Sequence, residues 1–331
     1  MFGSVQVSVV VPTRNRPEKL RRVLSSLQAQ SLARERFEII VVDDGSEPPV
    51  RLVADASGPT SLIRLESSER SAARNRGATV AAGELVVFVD DDMLPGPSFL
   101  AAHLAAQSEW PGALAVGAVA LPPSASEQPF GRFRTALERQ SQPESRGVAD
   151  QPNLCAAGNM SMPRARFLEL GGFDPEMVSS EDQDLALRHT SRGGLIVFLP
   201  EAIALHDDDH LDIRSYCRRL DWGAANMIPF CCRHSTLPDN RLRVERNGPV
   251  RWGVDSAGLV FKKLLKTTFA WPPALETLFA LTALAERLSA NRALASLYRL
   301  LLGIHLQKGF RRGWAEEAKA GSRGAPSRIT E

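Results

Sequence analysis

Two apolar runs that each end in carboxylates constrain this chain most. Residues 85–89 read Leu-Val-Val-Phe-Val and lead straight into Asp90, Asp91 and Asp92. Residues 37–42 form a second, near-continuous apolar run that ends in Asp43 and Asp44, followed by Gly45 and Ser46. Such runs suit strands covered on both faces, as in the interior of a parallel sheet. In an open α/β sheet, ligands collect at the C-terminal ends of the strands. Both acid groups therefore reach one edge, where they can converge on one ligand. Three adjacent carboxylates repel one another, so a cation is expected among them. A hard divalent ion that also binds a diphosphate fits, since Mg²⁺-type ions favour one or two carboxylates plus phosphate oxygens. Taken alone, the triplet reads more readily as a solvated acidic turn, and the rest of the chain changes that weighting.

The remaining pattern extends an α/β reading. Residues 5–11 are rich in valine and stop at Pro12, which predicts a first strand. Thr13-Arg14-Asn15-Arg16-Pro17 is a loop into a helix, with Pro17 in the first turn where its missing N–H does no harm. Leu20, Val23, Leu24 and Leu27 form that helix's buried face. A weaker strand is expected at 61–65, and a helix from about Ser71. Arg70, Arg74 and Arg76 flank this helix, either as an anion site at its N-terminus or as solvated surface. A helix follows from Pro97 or Ser98 to Gln107, then a strand at 113–121. Residues 122–152 are rich in Pro, Ser and Gln, with one helical patch at 130–139, and read as a variable lid or acceptor-side insertion. Gly158-Asn159 would allow close approach to a ligand. A helix should begin at Glu181-Asp182-Gln183-Asp184, capped by Ser179 or Ser180. Strands are expected at 195–199 and 202–205, ending at His206. The last third reads as helices at 211–231, 260–265, 274–288 and 293–306, with a polar connection at 238–251 and a frayed tail from 321.

Composition sets outer bounds. With 331 residues and 44% apolar content, a sizeable core is expected in one large or two modest domains. A net charge of +2 gives no electrostatic case for nucleic acid as a partner. Cys155, Cys217, Cys231 and Cys232 match no zinc spacing and read as reduced, buried thiols of a cytoplasmic protein. No signal-peptide pattern opens the chain, and no uncharged apolar run approaches the roughly 20 residues of a membrane span. No Gly-x-Gly-x-x-Gly follows the first strand, which argues against a dinucleotide dehydrogenase.

Four blocks of this sequence resemble the family 2 glycosyltransferases, inverting enzymes of the GT-A fold. They are Val9-Val10-Val11-Pro12-Thr13-Arg14-Asn15-Arg16; Val41-Val42-Asp43-Asp44-Gly45-Ser46; Ala73-Arg74-Asn75-Arg76-Gly77 through Asp90-Asp91-Asp92; and Gly171-Gly172-Phe173-Asp174 with Glu181-Asp182-Gln183-Asp184-Leu185. They follow the family's order and spacing over about residues 5–206. The resemblance implies a GT-A nucleotide-sugar-binding fold, with a mostly parallel central sheet flanked by helices. It implies a catalytic domain at 1–232, whose halves are 1–121 for the donor and 122–232 for the acceptor, and a helical region at 233–331. Pro12, Thr13, Arg14 and Asn15 would line the base, Asp44 with Asp43 would contact base or ribose, and Arg70 or Arg74 would support base or phosphates. Asp90-Asp91-Asp92 resembles the DXD element: Asp92 is the first metal ligand, with Asp90 and Asp91 on the ribose or a metal-bound water. Asp182 resembles the catalytic base and Glu181 its supporting neighbour. Gly171 and Gly172 would shape the sugar pocket. His206 stands where some relatives place a metal or diphosphate ligand, with His210 as its rival.

The activity so implied is transfer of a sugar from a nucleotide-diphosphate sugar, UDP favoured, with Mn²⁺ or Mg²⁺. The acceptor would be a saccharide, a lipid-linked saccharide or a small molecule. A nucleotidyltransferase is the competing enzyme class, but its Gly-rich triphosphate loop is missing from residues 13–17. A non-catalytic nucleotide-sugar binder is the other. In the last third, Lys262, Lys263, Lys266 and several arginines accompany Phe261, Trp271, Phe279, Leu301 and Phe310. Peripheral contact with the inner face of a membrane is one reading; the favoured one is a helical subdomain with its charged face in water.

Overall fold

The computed structural model describes residues 5–52, 59–66, 69–149, 151–208, 212–288 and 291–321. It comprises two compact units, Met1–Ala125 with Arg134–Asp208, and Ser126–Phe133 with Asp209–Glu331.

In the first unit, β1 (Val7–Thr13), α1 (Pro17–Gln28), β2 (Phe37–Asp44), β3 (Thr60–Leu65), α2 (Arg70–Val80) and β4 (Leu85–Val89) come in order. Then follow β5 (Met93–Pro95), α3 (Phe99–Glu109), β6 (Leu114–Ala120) and α4 (Pro129–Gln140), whose first residues belong to the second unit. β7 (Gly147–Val148), β8 (Asn159–Pro163), α5 (Arg164–Glu169), α6 (Glu181–Thr190) and β9 (Ile196–His206) complete it. Among the described residues the strands form one sheet in the order β3-β2-β1-β4-β8-β6-β9-β5, with β7 on β9. Neighbours from β3 to β4 are parallel, while β8 runs antiparallel between β4 and β6.

Alternation along the central strands explains their unbroken apolar character. Val9, Val11, Ile39, Val41, Val87 and Val89 pack with Leu20, Val23 and Leu27 of α1 on one face. Val10, Ile40, Val42, Val86 and Phe88 pack with Ala73 and Ala78 of α2, Phe167 and Phe173 on the other. Both faces are covered, so neither side of the pleat can be polar. The parallel register sets Thr13 beside Asp43 and brings the C-terminal ends of β1, β2 and β4 to one edge.

The second unit holds α7 (Ile213–Asn226), α8 (Ile228–Arg233), α9 (Pro238–Asn247), α10 (Ala257–Phe269), α11 (Pro272–Arg287) and α12 (Asn291–Gly321). Its core joins Phe130, Ile213, Leu278, Phe279, Tyr298, Leu301 and Ile304. No helix among the described residues is long and apolar enough to cross a membrane.

Several local expectations change. Residues 238–251 are largely helical, because Pro238 starts α9 at a position that tolerates proline. The 211–231 helix is two, with Pro229 in the first turn of α8. The strands expected at 195–199 and 202–205 are one, β9, carried through Pro200. Ser180 precedes α6 with φ 65° and its side chain makes no cap bond. Phe279, Leu301 and Phe310 are buried, whereas Phe261 and Trp271 are exposed. His210 and the tail from 322 lie outside the described residues.

Candidate active site

The acids at the end of β4 face two ways. Asp91 turns toward β1, where its carboxylate accepts from the Thr13 hydroxyl at 2.8 Å and from Arg16 at 3.1 Å. Arg16 also reaches Asp92 at 3.0 Å. This guanidinium is the cation that the clustered carboxylates demanded. Burial pushes the Asp91 carboxyl up, against the pull of Thr13 and Arg16. For Asp92, burial acts in the same upward direction, but His206, Arg16 and Lys19 outweigh it and hold the carboxyl well below its usual range.

His206 ends β9, and pairing of Met93 with His206 in the β5–β9 ladder brings it to Asp92. Nε2 of His206 stands 3.7 Å from Asp92 Oδ1, and Nδ1 stands 3.7 Å from Asp208 Oδ2. Arg134 in turn pairs with Asp208 at 2.7 Å. Both separations are too long for a hydrogen bond. A carboxylate and an imidazole that face each other, the imidazole backed by a second carboxylate, are a donor set that suits a divalent ion. Among the described residues no group of three or more His, Cys, Asp or Glu is arranged to hold a metal. An ion between Asp92 and His206 would thus draw its remaining ligands from phosphate and water, as Mg²⁺-type ions do.

Asp90 turns the other way. Its carboxylate pairs at 2.6 Å with Arg74, whose other nitrogen pairs with Glu181 at 2.8 Å. A side chain at position 158 would crowd Asp90 at 3.0 Å, so Gly158 gives that carboxylate its room. Arg74 is 1% exposed and lies over the Phe173 ring. It therefore ties the end of β4 to the first turn of α6. Asp182 follows Glu181, and its two oxygens accept from the backbone N–H groups of Ala157 at 3.1 Å and Gln183 at 2.8 Å. Burial, with the neighbouring Glu181 charge, pushes the Asp182 carboxyl up to about 7, against those two N–H groups and Arg74.

The turn before α6 is built by positive φ. Gly171 and Gly172 have φ 83° and 71°. Asn75 clasps the adjoining backbone, accepting from Phe173 N at 2.9 Å and donating to Phe173 O at 2.7 Å. Arg188 donates to the carbonyls of Leu170 and Gly172. Those carbonyls are thus engaged within the protein.

The remaining predicted residues fall around the β1 and β2 ends. Pro12 is buried, and Arg14 and Asn15 are exposed. Asn15 has φ 55°; its N–H donates to Ser46 Oγ and its side chain accepts from Glu47 N, which ties the two loops together. Asp43 is wholly buried and accepts from Ser46 N, Val50 N and Arg64, so it shapes its own loop. Asp44, beside it, is also buried. Arg70 is exposed. Asn159, expected near a ligand, is buried and donates to the carbonyls of Ala118 and Ala202. The roles of Arg16, Asp208 and Arg134 were missed. The repulsion within Asp90-Asp91-Asp92 signalled a need for a cation, and Arg16 lay within the first block; the distant Arg134 left no such trace.

Residues 8–169 match the family model described as Glycosyl transferase family 2. Over this stretch the chain is similar to the family 2 glycosyltransferases. Curated relatives support this. A pre-mycofactocin glycosyltransferase of Mycobacterium tuberculosis is 29% identical over 238 residues, covering 69% of this chain and 48% of its own. A validoxylamine A glucosyltransferase of Streptomyces hygroscopicus is 29% identical over 213 residues, covering 55% and 50%. The chain thus spans about half the length of these curated relatives. Its fold resembles that of the mannosyltransferase PcManGT of Pyrobaculum calidifontis, with TM-score 0.53 and 18% identity over 92% of this chain and 87% of that one. The fold is thus a GT-A-like one, a central sheet flanked by helices.

Proposed function

We propose that the chain transfers a sugar from a nucleotide-diphosphate sugar to an acceptor hydroxyl, in one displacement with inversion. The observation that carries this reading is the contrast between two aspartates in one unit. Asp92 is held ionised beside His206, while burial and Glu181 raise the Asp182 carboxyl to about 7, with both its oxygens accepting backbone hydrogen bonds. Environments that drive paired acids apart mark acid and base roles.

Asp182 takes the proton of the acceptor hydroxyl. That oxygen forms a bond to the anomeric carbon as the bond to the diphosphate breaks. The anomeric centre passes through an oxocarbenium-like state. Asp92 and His206 would hold a Mn²⁺ or Mg²⁺ ion, which supplies a Lewis acid for the leaving diphosphate. Thr13 and Arg16 fix Asp91 beside that group, and Arg74 holds Glu181 next to the base. Asp44 and the Asn15 loop would hold the nucleoside, with Asp43 shaping the loop beneath them. UDP is the favoured donor nucleotide; GDP belongs beside it, because the fold neighbour PcManGT was solved with GDP-Man and Mn²⁺. The acceptor would be a saccharide, free or lipid-carried, or a small molecule. The four unpaired cysteines suit a reducing compartment such as the cytoplasm.

Calorimetric titration of UDP, GDP, dTDP and CDP, each with Mn²⁺, Mg²⁺ or chelator, tests the donor side. One nucleotide should bind with a metal and lose affinity in Asp92→Ala. Absence of metal-dependent binding by every diphosphate would overturn it.

A further inference from the structure

α10 is inverted relative to an ordinary surface helix. It buries Lys263, whose ammonium pairs at 2.6 Å with Asp255 and donates to Pro249 O at 2.9 Å. It exposes Phe261, Leu264 and Leu265, spaced i, i+3 and i+4 on one face. Phe261 is 65% exposed, and Trp271, just beyond the helix, is 64% exposed. The preceding loop adds Trp252 at 75%. That loop is not loose, because Asp255 also accepts from Arg251 N at 2.9 Å and so pins it to Lys263. A lysine inside and a phenylalanine outside is a costly arrangement in water. It becomes favourable where the outer face meets an apolar layer.

Charge selects the occupant. Residues 212–321 contain 18 Lys and Arg against nine Asp and Glu, leaving 22 against 29 to the rest of the chain. Lys262, next to Phe261, is exposed and has no carboxylate partner among the described residues. Two copies facing through this surface would bring like charges together. A negatively charged bilayer would attract it and accept aromatic and leucine side chains at its interface. We propose that the exposed face of α10, with Trp252 and Trp271, docks on an anionic lipid surface. This needs none of the acids at the sheet edge and stands apart from the transfer chemistry.

The test is co-sedimentation of the full chain with vesicles of phosphatidylcholine alone or with phosphatidylglycerol, at low and high salt. The native chain should bind the anionic vesicles at low salt, with a blue shift in tryptophan emission, and bind weakly to the neutral ones. Phe261→Glu and Trp271→Glu should each lower partitioning about tenfold or more. Lys262→Glu should weaken it chiefly at low salt, and Val148→Glu in the first unit should leave it unchanged. Unaltered melting curves would show that the variants fold. Failure of the native chain to bind anionic vesicles overturns the proposal, as does binding that survives both Phe261→Glu and Trp271→Glu. Self-association abolished by Phe261→Glu, without vesicle binding, would assign the face to a second copy and overturn it too.

Discussion

Asp92 and Asp182 are the same amino acid with opposite tendencies, and the difference lies in what surrounds each. Asp92 has His206 and Arg16 within reach; Asp182 has Glu181 at its side and only dipoles on its oxygens. As the proposed base, Asp182, with its carboxyl near 7, would work only when deprotonated. Transfer should therefore rise with pH through about 7 and fall off below it, read from kcat/KM against pH. Asp182→Asn should cut kcat by about 10²–10⁴-fold while a nucleotide titration shows unchanged binding. Arg74→Met is expected to act twice. It strands Glu181 and Asp90, costing about 3–5 kcal/mol in chemical denaturation. It also removes a positive charge that lowers Asp182, so the rise in rate should move to higher pH.

The turn between α5 and α6 leads into the helix that carries Asp182, the proposed base, and its geometry depends on glycine. A Cβ at Gly172 would lie 2.5 Å from Asn75 Oδ1, at a φ of 71° that L residues rarely adopt. Gly172→Ala should lower stability by about 1–3 kcal/mol, seen as a lower Tm, and should reduce kcat by shifting α6. The sheet was legible because β1, β2 and β4 are buried on both faces and so read as apolar runs. The two directions taken by Asp90 and Asp91 were not legible. They depend on Arg74 and Arg16, whose reach is set by tertiary packing rather than by spacing. α9 escaped notice because it is polar on most sides and begins at a proline, which also marks loops. β5 and β7 are three and two residues long, too short to show a period. Asp43 was not legible either: an acid at a strand end serves a ligand or its own loop, and its partners, Ser46, Val50 and Arg64, show the loop role.

At the scale of the whole molecule, each unit has its own core. Leu301 is fully buried in the second, packed with Tyr298 and Phe130. Leu301→Ala should cost about 2–5 kcal/mol in unfolding experiments. The pH dependence of transfer should stay as it was, since the groups that set Asp182 all belong to the first unit. The two units also divide the charge unevenly, with the basic excess in residues 212–321 and an acidic excess elsewhere. A net charge of +2 is thus a poor guide to handling. On chromatography near neutral pH the chain should be held by cation-exchange resin through one unit and by anion-exchange resin through the other, and moderate salt should release it from both.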